Sequence, residues 1–416
     1  MIKALERLHI FLLLLSSVFM SFVWGAQTLY YVVFFAALWG GIYVMIANKL
    51  KKNHIIACAV FIFASLLSAL SGRLVGDIPF NWSWISQMLL FPFVILGIRY
   101  LHLKHFDFFE GQLKLMFYVA LAVLLTQQCV NIWGYGISHL LLLSDPASFM
   151  RGAYYYHNIA AQEIGLLKSI IPFVAFLFFL STRHRFQRGI QICMFIFILL
   201  STLLVAAKAN LIGILILCIV WGAAKINSIW LKGGFVFVIL ISLFLMTVLY
   251  YEDLTEYSIY NGRYLLPVIM SPDFWGLPFG VGMGNYVYAA SINLIEVNTN
   301  GVLPVFFPVS MYSSTSLFPI AESDVLLLSV SFGWFFYIAY LMFISVVIYK
   351  YMFTRAIYSP CYKRGAELIV YLFFVGLYQD FFNVHTYWVF FAVAISCFSM
   401  SSIPKNSEGS KLKASL

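Results

Sequence analysis

Apolar residues run through this chain in stretches of about seventeen to twenty-five, the length a helix needs to cross a bilayer's hydrocarbon core. Inside lipid each backbone polar group must be satisfied within its own segment, so such stretches read as helices. A membrane β-barrel would alternate polar and apolar positions, and runs such as Phe235 to Tyr250 do not alternate. About twelve spans follow. The first six are Ile10–Trp24, Thr28–Asn48, Ile55–Ser71, Trp84–Tyr100, Leu115–Ile132 and Ile159–Leu180. The remainder are Ile190–Ala206, Asn210–Ala224, Phe235–Tyr250, Val325–Tyr349, Gly365–Asp380 and Tyr387–Met400. The eleventh and twelfth are short, and QDFFNVHTYW between them reads as a re-entrant turn. Residues 1–403 form one transmembrane domain and 404–416 a polar tail; no internal repeat or soluble domain interrupts them.

Two connections are long, about 133–158 and 251–322, and long connections in compact proteins are usually functional or disordered. The second is rich in aromatics, Gly and Pro rather than charge, which argues for an ordered segment lying on the membrane surface, with a short interfacial helix after Arg263.

Composition agrees with the pattern. The chain is 63% hydrophobic and 10% charged, where soluble domains carry about a quarter charged residues. The net charge of +9 does not point to nucleic acid, because Lys and Arg sit in short clusters between spans. With the amino terminus inside, 20 of the 25 Lys and Arg residues fall on the cytoplasmic side, and an even number of spans places both termini there. MIKALERLHIFLLLL resembles a signal peptide but reads as the first span, since no small-residue cleavage site and soluble domain follow. The six cysteines have no CxxC spacing or histidine companion, which argues against zinc or a disulfide framework and for packing roles.

The five remaining basic residues break the rule: Arg73, Arg151, Lys168, Lys208 and Arg263. Lys168 lies inside the sixth span, where a basic side chain costs roughly 2.5 to 3.5 kcal/mol on insertion scales. Lys208 sits at the outer turn between the seventh and eighth spans; Arg151 and Arg263 belong to the two long outer segments. Singly, each reads as a snorkelling or ion-paired side chain. Gathered on one face, they suit an anionic ligand, and phosphate is the group Arg binds best. Glu322 and Asp324 open the tenth span, where acids serve as first-turn caps or, beside a cavity, as a general base. His157, His139 and His385 are the outer-side histidines, and a lone interfacial histidine is more often a packing residue. GVGMGN at Gly280 to Asn285 lacks the preceding strand of a dinucleotide site and reads as a tight turn whose glycines allow close backbone approach.

Four stretches together resemble the O-antigen polymerase and O-antigen ligase superfamily of bacterial surface-polysaccharide enzymes. RGAYYYHNIAAQEIGLLKSIIPF, from Arg151, is similar to the family's Arg-Gly-aromatic-Asn stretch leading into a span. LLVAAKANLIGILI resembles its small-residue turn, with Lys208 where Arg is common. NGRYLLPVIMSPDFWGLPFGVGMGNY resembles the outer-loop motif in which an Arg precedes a Trp and a Gly-x-Gly-x-Gly-Asn turn. ESDVLLLSVSFGWFFY is similar to the His-Asn motif that ends in Gly, with Glu322 where ligases usually carry His, which favours the polymerase.

The resemblance implies an all-α, GT-C-like membrane glycosyltransferase of the bacterial inner membrane, inverting and metal-independent, with no cofactor. Its substrate would be an undecaprenyl-pyrophosphate-linked glycan at the periplasmic face, and a chain-length regulator would be its protein partner. Under that reading Arg151, Lys208 and Arg263 meet the pyrophosphate and Glu322 takes the acceptor's proton. Asn158, His157, Asp324 and Lys168 complete the substrate-binding set. A ligase with a lipid A core acceptor is the alternative within the family. A flippase is the alternative outside it, expected to show repeated halves and ionisable residues at midplane.

Overall fold

The computed structural model describes residues 2–22, 25–46, 52–76, 80, 82–136, 170–205, 207–226, 228, 230–234, 277–282, 324–353, 360–376 and 385–400. Among these there are eleven long α-helices, a further helical stretch at 230–234 and no strand element. The eleven are α1 (Ile2–Phe19), α2 (Gly25–Ile46), α3 (Lys52–Gly76), α4 (Trp82–Lys104), α5 (Phe106–Tyr135) and α6 (Ile170–Thr182), then α7 (Arg188–Leu204), α8 (Lys208–Lys225), α9 (Asp324–Phe353), α10 (Pro360–Gly376) and α11 (His385–Met400). A single 3₁₀ turn, Arg183–Arg185, joins α6 to α7. These helices match eleven of the twelve expected spans to within a few residues where the spans are described, apart from α1 and α5, which begin eight and nine residues early. The ninth span and most of the two long connections lie outside the described residues.

Among the described residues four stretches are long and apolar enough to cross a membrane: Ile55–Leu74, Ile85–Lys104, Phe106–Tyr135 and Ser331–Met352. On α9, Phe335, Ile338, Met342, Val346 and Tyr349 are all exposed at three- and four-residue spacing, so one whole face of this helix offers hydrocarbon outward. A water-soluble protein rarely exposes such a continuous apolar stripe. The chain is a membrane-embedded helical protein.

The interior differs from the rim. Every residue from Ile171 to Thr182 of α6 is buried, as is most of α10, so these two helices form the bundle's centre. Between membrane helices hydrophobicity gives no preference for protein over lipid, and close packing decides. At the α2–α4 crossing the close contact is reciprocal. A Cβ on Gly40 would lie 2.0 Å from the Phe93 carbonyl oxygen, and one on Gly97 would lie 1.9 Å from that of Ala36. Both backbones therefore touch where each helix lacks a side chain.

The expectation that the cysteines are core residues needs correction. Cys397 is buried, but Cys129 and Cys193 are exposed and the other three are intermediate. Position inside an apolar span does not distinguish a lipid-facing surface from a protein-facing one.

Lys104, Arg183, Arg185 and Arg364 assemble at one end of the bundle around three buried carboxylates. Glu110 of α5 receives Arg364 Nη1 of α10 at 2.7 and 2.8 Å, His102 Nε2 of α4 at 3.0 Å and Arg185 Nη2 at 3.3 Å. Arg364 also donates from Nη1 to the Ser181 carbonyl at 3.1 Å and from Nε to Cys397 Sγ at 3.2 Å. His102 presents its other ring nitrogen to Ser396 of α11. Because Nε2 faces a carboxylate it carries the proton, so Nδ1 accepts from the serine hydroxyl whenever the ring is neutral.

Glu6 of α1 accepts from Lys104 Nζ at 2.8 Å, His105 Nε2 at 2.7 Å and Tyr100 OH at 3.0 Å. Glu367 of α10 accepts from Arg183, from Tyr351 OH of α9 at 2.7 Å and from Trp221 Nε1 of α8 at 3.1 Å. Arg183 also stacks on the Trp221 ring, 4.4 Å from its centroid. Together the three acids tie this basic end across most of the bundle.

This network makes stability pH-dependent. Burial, reinforced by the charge on Arg364, lowers the His184 pKa from 6.5 to about 4 against the pull of Glu110. The folded chain thus refuses a proton that the unfolded chain accepts, and stability falls as pH drops from 6.5 towards 4. Burial raises the Glu6 carboxyl, but hydrogen bonds from Lys104, His105 and Tyr100 outweigh it and leave the pKa below 4.5. Its contribution is present above 4.5 and is lost as pH falls through the lowered value. The expected result is a melting temperature in detergent that declines continuously from pH 7 to 4, with His184→Asn flattening the upper part of the decline. The effect of His184 is modest, because its side chain is 39% exposed and solvent screens it. A flat profile over the whole range would contradict the assignment.

Candidate functional site

The described parts of the motif segments lie at the opposite end of the bundle. Of the residues expected there, Arg151, His157, Asn158, Lys168, Arg263 and Glu322 lie outside the described residues. Lys208 and Asp324 are described in backbone only: Lys208 is the first residue of α8 and Asp324 the first of α9. Both helices run from this end towards the basic end, since each packs antiparallel to α10. Tyr351 meets Glu367 while Tyr340 meets Phe373 further up, and Gly213 near the start of α8 meets Val375 near the end of α10.

Two of the motif segments meet in the described structure. Within α9 the helix breaks at Gly333, whose φ of 78° and ψ of 176° are open essentially to glycine alone. The break releases backbone groups from the helical ladder, and in a membrane interior these need partners. The segment 277–282 supplies them: Gly282 N–H donates to the Ser331 carbonyl at 2.9 Å, and Phe335 N–H donates to the Pro278 carbonyl at 3.3 Å. Ser68 of α3 donates its hydroxyl to the same Ser331 carbonyl.

The approach is close on both sides. A Cβ on Gly333 would lie 2.3 Å from the Pro278 carbonyl oxygen, and one on Gly72 of α3 would lie 2.3 Å from that of Val281. Gly280 and Gly282 themselves take φ of 73° and 92°. The turn expected from GVGMGN is therefore present as far as Gly282, and what it approaches is the broken turn of α9.

At the same end of the bundle lies a set of buried polar side chains that the motif reading did not include. Gln127, Gln128 and Asn131 line one face of the last turns of α5; Ser201 and Thr202 end α7; Asn210 belongs to the first turn of α8. All are no more than 5% exposed. Gln128 Nε2 reaches the Ser201 carbonyl, and Tyr371 OH of α10 reaches Asn210 Oδ1, both long contacts at 3.5 Å. These groups surround the α7–α8 turn from which Lys208 starts. Uncharged amides and hydroxyls held at membrane depth offer donors and acceptors to a hydroxyl-rich ligand. The signal was legible as TQQCVN, three amides interrupting an otherwise apolar span.

His385, one of the histidines expected on the outer side, packs among aromatic rings. Its ring lies 5.3 Å from Tyr30, 5.7 Å from Phe34 and 5.3 Å from Trp388, centroid to centroid. Among the described residues no group of three His, Cys, Asp or Glu side chains is placed to hold a metal ion. No family model, curated protein or solved structure matches this chain.

Proposed function

We propose that this chain is a membrane glycosyltransferase that extends a polyprenyl-pyrophosphate-linked glycan, with its chemistry at the end of the bundle opposite the three carboxylate networks. The observation that carries the reading is the backbone joint between the Arg263-containing segment and α9. It holds together the two stretches that bear Arg263 and Glu322 in sequence, fourteen residues before Leu277 and nine before Ser331. The buried amides of α5 and Asn210 at the start of α8, at the same end of the bundle, are polar groups of the kind that suit sugar hydroxyls.

In this reading the fold is a GT-C-like bundle of about twelve spans, and the basic end is cytoplasmic by the positive-inside rule. Both termini then share the cytoplasm, the catalytic face is periplasmic, and the membrane is the bacterial inner membrane. Glu322 takes the proton of the acceptor hydroxyl as its oxygen bonds to the anomeric carbon from the face opposite the leaving group. The bond from that carbon to the pyrophosphate oxygen breaks, and the electron pair leaves with the carrier lipid. Arg151, Lys208 and Arg263 stabilise the charge developing on the pyrophosphate, a role in which one preorganised donor is typically worth a hundred- to thousand-fold. Asn158, His157, Asp324 and Lys168 position the glycan, and Glu322 in place of a ligase histidine favours chain extension over transfer to lipid A core.

Glu322→Gln tests the base. At equal protein abundance the expected result is loss of the long-glycan ladder on gels, leaving single repeat units on lipid A core, and a roughly hundredfold slower chain extension in purified membranes. An intact ladder would refute the role of Glu322. Long chains accumulating on the carrier lipid would identify a ligase instead.

A further inference from the structure

At the basic end, donors outnumber acceptors where the α6–α7 turn meets α5. Both oxygens of Glu110 are taken by Arg364 Nη1, and His102 adds a third donor. Arg185 Nη2 and His184 Nε2 then stand 3.3 and 3.9 Å from one oxygen of the same carboxylate. Arg364 Nη2 is buried with no hydrogen-bond partner among the described residues. One turn along α5 from Glu110, Lys114 holds its Nζ 5.3 Å from the ring centroid of Phe186, the residue next to Arg185. Arg188, two residues further on, opens α7 and is exposed. No acid among the described residues pairs with Lys114 or Arg188. Asp107, the other acid on this part of α5, is two turns from Lys114, about 10.5 Å at the helical rise. Arg183 is already matched to Glu367. Positive charge is therefore in surplus on this flank, and it is open to the surface: the His184 and Arg185 side chains are 39% and 32% exposed.

We infer that the α6–α7 turn and the Glu110–Lys114 flank of α5 bind an anionic phosphate group, with Arg185 and Lys114 as its direct partners. The guanidinium fork matches two phosphate oxygens, and the lysine adds a point charge on a flexible stem. Glu110 does not neutralise the group, because it is fully buried and its oxygens are already occupied. Arg185 keeps most of its five N–H donors beyond its one approach to that carboxylate. The expected source is the head group of an anionic phospholipid. Helices α5 and α7 leave the basic end side by side, since Gln128 near the end of one reaches the Ser201 carbonyl near the end of the other. Both expose hydrocarbon directly beyond the cations, at Leu115 and Tyr118 of α5 and at Ile190 and Ile192 of α7. An amphiphile thus meets charge at its head and apolar surface along its tails, whereas free phosphate uses the cations alone.

The test is native mass spectrometry of the detergent-purified full chain offered equal amounts of dioleoyl phosphatidylglycerol and dioleoyl phosphatidylcholine, which share tails and differ in head-group charge. The expected result is a roughly tenfold preference for phosphatidylglycerol, the scale of two cations beside one anionic head. Lys114→Gln combined with Arg185→Gln brings the two lipids to parity. Lys350→Gln, which removes an exposed cation at the end of α9, leaves the preference intact. If the double variant does not fold, Lys114→Gln decides alone, because Lys114 pairs with no described acid and its removal strands no buried charge. About a threefold loss of preference is expected from it, half the free energy of the full effect. A second arm omits lipid and follows melting temperature against inorganic phosphate at constant ionic strength. A phosphate-dependent rise in the parent that is absent from Lys114→Gln, with no lipid preference, assigns the same site to free phosphate. No response to either ligand overturns the inference, as does a response that the Lys114 and Arg185 substitutions leave unchanged or that Lys350→Gln removes equally.

Discussion

Replacing Arg364 by Met lowers the stability of the folded chain by about 3 to 5 kcal/mol, the usual consequence of removing one partner from a buried ion pair. The reason lies in what remains. Glu110 is fully buried, and Arg364 alone addresses both of its carboxylate oxygens. Arg185 reaches one of them at 3.3 Å from a partly exposed position, and His184 lies 3.9 Å away. Neither can replace a guanidinium that also satisfies the Ser181 carbonyl and Cys397. Arg364→Lys retains the charge but cannot address both oxygens and the carbonyl in the same plane, so it falls between parent and Met.

The pair Glu110→Gln with Arg364→Met separates charge from packing. If the cost of the single substitution is the stranded carboxylate, the double variant recovers much of the loss, because a neutral buried amide costs far less than an unpaired charge. Thermal unfolding in detergent, followed by monodispersity on size exclusion, reads all three. A single variant as stable as the parent would mean that Glu110 is held adequately by Arg185 and His102. A double variant worse than either single would mean that the network is needed for its hydrogen bonds rather than its charge balance.

What the chain discloses to a reader follows from how membrane helices are built. Spans are legible because bilayer thickness sets their length, and α2, α4, α7, α8 and α11 begin and end within four residues of the expected bounds. The grouping of some basic residues is legible too. Lys104, Arg183, Arg185 and Arg364, far apart in sequence and assigned to one side by charge alone, meet at one end of the bundle.

Extent and partnership were less visible. Helices α1 and α5 start earlier than hydropathy indicates because their second turns carry Glu6 and Glu110, which lower the apolar average yet are buried through partners on other helices. Hydropathy scores each residue in isolation, so a satisfied buried carboxylate looks like a loop charge. The same limitation hid Gln127, Gln128 and Asn131. The glycines were read better, because a cluster of them has few uses besides close backbone approach. The target of that approach, the break at Gly333, was present only as a glycine inside an apolar span, with nothing local to mark it as a kink rather than a helix contact like Gly40 or Gly97.

The break itself yields the second large effect: Gly333→Ala abolishes the joint and costs more than about 3 kcal/mol. A residue with a side chain at φ 78°, ψ 176° is strained by roughly 1 to 3 kcal/mol before any contact is considered. The added Cβ would then meet backbone on two sides, the Pro278 carbonyl oxygen at 2.3 Å and the Gly280 nitrogen at 2.5 Å. Neither is a flexible side-chain end that can swing aside. Relief requires either that the segment 277–282 undock or that α9 straighten, and both remove the bonds from Gly282 and Phe335. Gly111→Ala on α5 is the matched control, since nothing lies within 4 Å of its added Cβ and an exposed helical Gly→Ala is stabilising by about 0.5 to 1 kcal/mol. Limited proteolysis across residues 277–282, compared between the two variants and the parent, reads the undocking directly. Melting temperature reads its energetic cost. Were Gly333→Ala to resist protease and melt like Gly111→Ala, the helix break would not depend on glycine. The joint that brings the Arg263 segment to α9 would then lose its structural basis, and with it the main support for a catalytic face at this end of the bundle.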